Sequence, residues 1–309
     1  MIKNLLRKIL FLRYPISLSS NEEDPNLIKE FKEKAESVEI NQKPESEADR
    51  KWIDNLHELK ERILYDNPSE FLSWEVVKRT MFISDSFFIL KEYRYLKSLD
   101  VYSKKWKPCL KETAVGRPDC YCILGGSSSN LVHHAYHLAV YENALEEIPN
   151  EKKVIFEFGG GYGSMCRLFH NLGFQGQYII LDLPLFSLLQ NYYLRSLKIK
   201  ILNRDEFQRG ESGVLCLSDF TEVEGLEISN DSLFLATWSL SEVSLGLREA
   251  LSGFMQKFGS FLFAYQPQFG EVDNEEYFKL LKKSNSNYQW KSIDIKHLQS
   301  KYLFGTRKD

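Results

Sequence analysis

The chain has few cysteines, no excess of positive charge and no long apolar run, and each shortage removes a class of function. Its five cysteines, Cys109, Cys120, Cys122, Cys166 and Cys216, are odd in number and form no C-x-x-C pair. Neither a disulfide framework nor a zinc finger is therefore expected, and a reducing cytoplasm is the compartment that suits them. No stretch reaches the roughly 18 apolar residues that a membrane-spanning helix needs. A formal charge of -3 leaves no basic face, and no Lys/Arg run is interleaved with aromatics, so nucleic acid is not an expected partner. Aromatic residues, by contrast, make up 14% of the 309 residues. They suit an aromatic-lined cleft for a sugar or ring as well as an ordinary Phe- and Tyr-rich core. The length predicts one large α/β domain with an added helical region.

The most informative stretch is Val154-Ile-Phe-Glu-Phe-Gly-Gly-Gly-Tyr-Gly163, followed by Tyr178-Ile-Ile-Leu-Asp-Leu-Pro184. Val154 to Phe158 and Tyr178 to Leu181 read as short buried strands, with a helical run from Ser164 to about Leu172 between them, which makes a βαβ unit. Gly159, Gly161 and Gly163 let the backbone turn tightly and approach a ligand. Asp182 ends the second strand, where an acid can accept hydrogen bonds from both ribose hydroxyls. A dinucleotide fingerprint would need G-x-G-x-x-G, and from Gly159 that frame fails because Ser164 occupies the third glycine's place.

What fits is Glu157-x-Gly159-x-Gly161-x-Gly163, and with Asp182 it resembles the class I S-adenosylmethionine-dependent methyltransferases. The resemblance implies that the turn of Gly159, Gly160, Gly161, Tyr162 and Gly163 lines the methionine and ribose part of S-adenosyl-L-methionine. It implies that Glu157 meets the ammonium group directly or through water, and that Asp182, with Leu183 beside it, holds the ribose. Asp182-Leu-Pro184 also resembles the second motif of small-molecule O-methyltransferases.

The later elements continue a doubly wound sheet. Val214 to Leu217 reads as a strand ending in Ser218-Asp219-Phe220, a turn that the resemblance places beside the adenine. There Asp219 would accept from the amino group and Phe220 would stack on the ring; a plain turn acid beside a core aromatic is the alternative. Ser232 to Thr237 reads as a strand, and the resemblance places its end beneath the transferable methyl, which makes Trp238, Ser239 and Glu242 cleft candidates. Ser239-Leu-Ser-Glu242 also has the form of a capping box for the next helix. Gly259 to Tyr265 reads as a strand, Gln266 to Asn274 as cleft rim, Asn274 to Lys283 as a helix, and Tyr288 to Ile295 with Tyr302 to Gly305 as an antiparallel terminal pair. The expected fold is α/β: a Rossmann-like seven-stranded methyltransferase sheet, mostly parallel with an antiparallel terminal hairpin, preceded by a helical cap.

Three regions are expected: an amphipathic start and polar linker at 1–50, a helical cap and substrate-side region at 51–148, and the cofactor-binding domain at 149–309. In the first, Ile2, Leu5, Leu6, Ile9 and Leu10 fall at helical spacing among Lys3, Arg7, Lys8 and Arg13. Residues 1–14 suit a peripheral contact with an anionic membrane at the inner face, or packing on the protein itself or a dimer mate. Ser17 to Asp49 reads largely as linker around a weak helix from Asn26 to Ser37. Capped helical runs follow from Ser46 and Ser73, and the aromatic stretch Phe87 to Leu96 continues helically; this cap can cover a substrate cleft or serve as a homodimer arm.

Half of the six histidines lie in Gly125-Gly-Ser-Ser-Ser-Asn-Leu-Val-His-His-Ala-Tyr-His137. On a helix His133 and His137 share a face and His134 points away. A metal pair, with no third ligand identifiable, a general base of unperturbed pKa near ~6.5, and hydrogen-bonded packing are the three readings. Glu242 is the next candidate base. Together with Glu157 to Leu189 and Tyr265 to Tyr277, this stretch resembles the bacterial sugar O-methyltransferases, over roughly Trp74 to the C-terminus. The implied activity is O-methylation of a hydroxyl on a sugar, sugar nucleotide or surface glycan. A catalytically silent partner in a polysaccharide assembly complex, or an O-methyltransferase with a non-sugar substrate, is the alternative.

Overall fold

The computed structural model describes residues 7–16, 24–40 and 47–308. They form two compact units, each discontinuous in sequence: Met1–Val140 with Gly161–Phe174 and Pro184–Lys200, and Tyr141–Gly160 with Gln175–Leu183 and Ile201–Asp309.

The first unit is helical, with α1 (Pro25–Ser37), α2 (Glu47–Tyr65), α3 (Glu75–Thr80), α4 (Ile89–Ser98), the start of α5 (Ser129–Leu145), α6 (Ser164–Asn171) and α7 (Pro184–Ser196). The helix expected in the polar segment forms because Asp24 caps it, accepting from Asn26 N at 3.0 Å and Leu27 N at 3.3 Å, with Pro25 in the first turn. Its buried face carries Phe31, stacked on Tyr192 of α7 with ring centroids 4.7 Å apart. The cap expected at Ser46 lies outside the described residues, as do residues 1–6. The described remainder of the amphipathic start packs on this unit. Phe11 meets Phe87 and Tyr121 edge-on, Arg7 pairs with Asp85, and Arg13 pairs with Asp119 at 2.9 Å. Among the described residues no helix is long and apolar enough to cross a membrane.

The second unit holds the sheet: β1 (Val154–Phe158), β2 (Gln177–Leu181), β3 (Gly213–Leu217), β4 (Ser232–Thr237), β5 (Ser260–Tyr265), β6 (Tyr288–Ile295) and β7 (Ser300–Arg307), in the spatial order β6-β7-β5-β4-β1-β2-β3. The first five strands run parallel and β7 and β6 close the sheet antiparallel. This is the expected Rossmann-like seven-stranded sheet with its terminal hairpin. All five residues of β1 are buried, so the continuous apolar run reflects a strand covered on both faces. The edge strand β6 instead exposes Gln289, Lys291, Ser292 and Asp294, charges and polar groups that discourage further pairing. The strand expected at 199–202 reduces to one bridge, Ile201 to Val214. One face of the sheet is aromatic. Phe156 lies 5.0 Å from both Phe234 and Phe254, the latter on α8 (Leu245–Met255), and α9 (Asn274–Ser284) adds Phe278.

Strand order reverses between β1 and β4, which makes the carboxyl ends of these two strands the switch point of the sheet, the place where open α/β sheets bind ligands.

Candidate functional site

In the sheet unit, the switch point gathers Glu157, Gly159, Trp238, Ser239 and Glu242, with Asp182 one strand further on. At the end of β1 the chain turns through Gly159 (φ +71°), and Gly161 (+58°) and Gly163 (+90°) repeat the left-handed conformation. Only glycine adopts this freely at three alternate positions. The turn is also closely attended by its own protein. A Cβ on Gly159 would overlap Ser239, whose hydroxyl donates to Phe158 O, and one on Gly160 would lie 2.6 Å from Ile180 Cγ2. The bare backbone thus accommodates neighbouring side chains as well as any ligand.

Glu157 is buried beneath Gly160, its Oε2 only 3.1 Å from where a Cβ on that residue would stand. Tyr178 Oη donates to it at 2.8 Å. Burial, reinforced by Asp182, pushes the carboxyl up to about 8 against that hydrogen bond. Burial, aided by the same two acids, pushes the Cys216 thiol up to about 12. Asp182 itself is half-buried, and its Oδ1 accepts from Leu183 N at 2.8 Å.

Asp219 is exposed and caps the turn at Phe220–Val223, accepting from Thr221 N and Oγ1 at 2.7 Å each, which holds its carboxyl below the ordinary value. Phe220 packs edge-on to Phe254 at 6.3 Å. The plain turn acid and core aromatic are thus what these two side chains form in the structure.

After β4, Trp238 has φ +66° and ψ -35°, an outlier for a bulky residue that costs on the order of 1–3 kcal/mol and must be held by its surroundings. Its N donates to Ala264 O at 2.7 Å, and its carbonyl accepts from Ser241 N at 2.8 Å and Ser241 Oγ at 2.6 Å. The capping-box expectation for Ser239–Glu242 is corrected. These residues form a short 3-10 turn, and Ser244 caps α8, accepting from Leu247 N at 3.4 Å. Glu242 instead hydrogen-bonds Gln266, and burial pushes it up to about 7. The Gln266 side chain also reaches Ser241, with Oε1 2.9 Å from Oγ.

In the helical unit, His133 Nδ1 lies 2.8 Å from Glu92 Oε2, both side chains almost wholly buried. His137 is fully buried with its ring 4.1 Å from that of His133, while His134 stands 6.4 Å from each. The expected shared face is therefore present. Burial, aided by His133, pushes His134 down to about 3. Glu92 gave no signal in the sequence, since it lies 41 residues from its partner. Among the described residues no group of three or more His, Cys, Asp or Glu side chains is arranged for a metal.

Gly161 and Gly163 belong to this unit. Gly161 has Met81 Cβ 3.1 Å from its would-be Cβ and gives its carbonyl to Gln190 Nε2 at 2.9 Å, while Gly163 caps α6. Tyr162 is buried against Phe71 and Tyr193, at 5.7 and 5.1 Å, and its hydroxyl accepts from Asn130 Nδ2 at 2.9 Å. Its ring serves the helical core.

No family model matches the chain, and no curated protein matches it. Among solved structures it is similar to a SAM dependent methyltransferase from Aquifex aeolicus (15% identity over 55% of this chain and 89% of that one, TM-score 0.36). It is also similar to magnesium protoporphyrin IX methyltransferase from Synechocystis PCC 6803 with bound SAM (12%, 57% and 80%, 0.39). A third is the pyocyanin biosynthetic protein PhzM (14%, 70% and 61%, 0.40). With every one of these TM-scores below 0.5, the fold assignment stands on the order and direction of the seven strands.

Proposed function

We propose that the chain is an S-adenosyl-L-methionine-dependent O-methyltransferase acting on a hydroxyl of a sugar, sugar nucleotide or surface glycan. The observation that carries this reading is the switch point itself: a glycine turn with a buried acid at the end of β1, a half-buried acid at the end of β2 and an ionisable carboxyl after β4. The residues present fit the group. Asp182, at the end of β2, is the acid proposed to hold the ribose, and Glu157 is the acid beneath the turn that a cationic cofactor would draw toward its ionised form, against the burial that otherwise keeps its proton on. The bound cofactor supplies an electrophilic methyl. The protein's own tasks are to hold a hydroxyl in line and remove its proton, and orientation is the larger, worth about 7–11 kcal/mol in favourable cases. Glu242 is the proposed base, because a carboxyl raised to about 7 is a stronger proton acceptor than an ordinary one yet still half ionised at neutral pH. His133, oriented by Glu92, is the second candidate. The sugar class rests on the sequence resemblance in Gly125 to His137 and Tyr265 to Tyr277, and a cytoplasmic site of action on the odd number of cysteines with no paired framework.

A catalytically silent methyltransferase fold is the second reading, favoured by Ser239 and Met81 set against Gly159 and Gly161. Calorimetry separates the two. S-adenosylhomocysteine should bind, NAD should not compete, and Asp182→Ala should weaken binding ~10- to 100-fold, as expected for charge-assisted hydrogen bonds of about 1.5–3 kcal/mol. Absence of binding by the wild type removes the enzyme reading. Labelled methyl transfer to nucleotide sugars, then to envelope glycans, tests the substrate class.

A further inference from the structure

Arg248 on α8 is fully buried, close to the helix N-terminus, where the helix dipole disfavours a cation. No acid among the described residues pairs with it. Its Nε donates to Val243 O at 3.0 Å, one terminal nitrogen to Asn274 Oδ1 at 2.8 Å and the other to Ser241 O at 2.9 Å, with Tyr277 facing the guanidinium at 4.7 Å. A buried cation so placed contributes little to stability compared with an apolar side chain of the same volume. What it does is hold two carbonyls of the loop after β4. Asn274, also fully buried, extends the clamp to the neighbouring loop, donating from Nδ2 to Ser241 O at 3.2 Å and to Gln266 O at 2.9 Å. Ser241 ties Trp238 O and the Gln266 side chain to the same point.

We infer that Arg248, Asn274 and Ser241 are positioning residues whose clamp joins the loops after β4 and β5 and so fixes the Gln266 amide, the Glu242 carboxyl and the Trp238 backbone at the switch point. The inference rests on the reading of Glu242 as the base. Burial raises the Glu242 carboxyl and the Gln266 hydrogen bond lowers it, burial being the larger influence, so a loosened loop that admits water lowers it on balance. Arg248→Met, close in volume, keeps the packing and removes the three donors. The test is a titration of carbon-13-labelled glutamate carboxyls by NMR in the full chain, without cofactor or substrate. In Arg248→Met the Glu242 midpoint is expected to fall by about 1 unit toward the ordinary carboxylate range as water enters. Turnover, where methyl transfer is found, should fall about tenfold or more with S-adenosylhomocysteine affinity unchanged, because Glu157 and Asp182 are untouched. Ser241→Ala, a milder change, is the second variant should Arg248→Met fail to fold, and the same downward shift is expected. A folded variant whose Glu242 titrates like the wild type overturns the clamp. A wild type that neither binds S-adenosylhomocysteine nor transfers methyl overturns the enzyme reading instead, with the titration still deciding the clamp.

Discussion

The carboxyl end of β4 and the histidine-bearing helix α5 both carry groups able to move a proton, and they hold them in opposite ways. Glu242 is half-buried, faces a neutral amide and is pushed up to about 7 at the end of a strained Trp238 turn. His133 and His137 are sealed in the helical unit, His133 bound to a buried glutamate, and His134 is pushed down to about 3, which leaves it a weak acceptor. The richer titratable composition therefore belongs to the more enclosed region. A base is selected by environment and access, and a cluster of histidines in one stretch of sequence is not by itself a sign of proton transfer.

The largest effect should come from Glu242→Gln. Turnover in a methyl-transfer assay is expected to fall ~10²- to 10⁴-fold, the usual contribution of a general base, with S-adenosylhomocysteine affinity retained in calorimetry. His133→Ala producing that loss while Glu242→Gln does not would reverse the comparison and make α5 the seat of the base.

The next effect concerns stability. Removing the imidazole of His133 leaves Glu92 buried without this partner, and breaking a buried pair from one side costs about 3–5 kcal/mol. Denaturant melts should show a loss of that order for His133→Ala, against a small change for His134→Ala, whose ring pairs with no acid among the described residues and is held neutral by burial. Equal losses from the two would mean that the Glu92 pair contributes no more than packing.

These two regions were unequally legible in the sequence. The strands at 154–158 and 232–237 were readable because strands covered on both faces must be continuously apolar. Alternating glycines were readable as a tight turn, and in the structure all three have positive φ. The neighbours that press on that turn were not, because Ser239 lies eighty residues from Gly159 in the chain and only the pairing of β1 with β4 brings them together. Ser239–Glu242 misled for a local reason: the left-handed Trp238 starts a 3-10 turn at once, and the true helix cap falls on Ser244. Glu92 and Arg248 were invisible because charged residues on helices ordinarily face water.

The smallest effect separates the two buried glutamates. Glu92 has an imidazole partner and Glu157 only a phenol, so Glu157 is the acid that burial pushes up to about 8, from an ordinary 4.5. Between those values the folded protein retains a proton that the unfolded chain has released. Stability therefore falls as pH rises from about 4.5 and levels off above about 8. From pH 6 to pH 8 this amounts to about 2 kcal/mol for one group, at 1.36 kcal/mol per unit. Glu242, raised in the same direction, adds a similar slope that is common to wild type and variant. Urea titrations at the two pH values should thus show Glu157→Gln losing about 2 kcal/mol less than the wild type over this interval. Parallel losses would mean that Glu157 is already ionised in the folded state, with water or a cation reaching it beneath Gly160. The sheet's buried acid would then differ from Glu92 in its partner and not in its enclosure, and the contrast between the two regions would narrow to access alone.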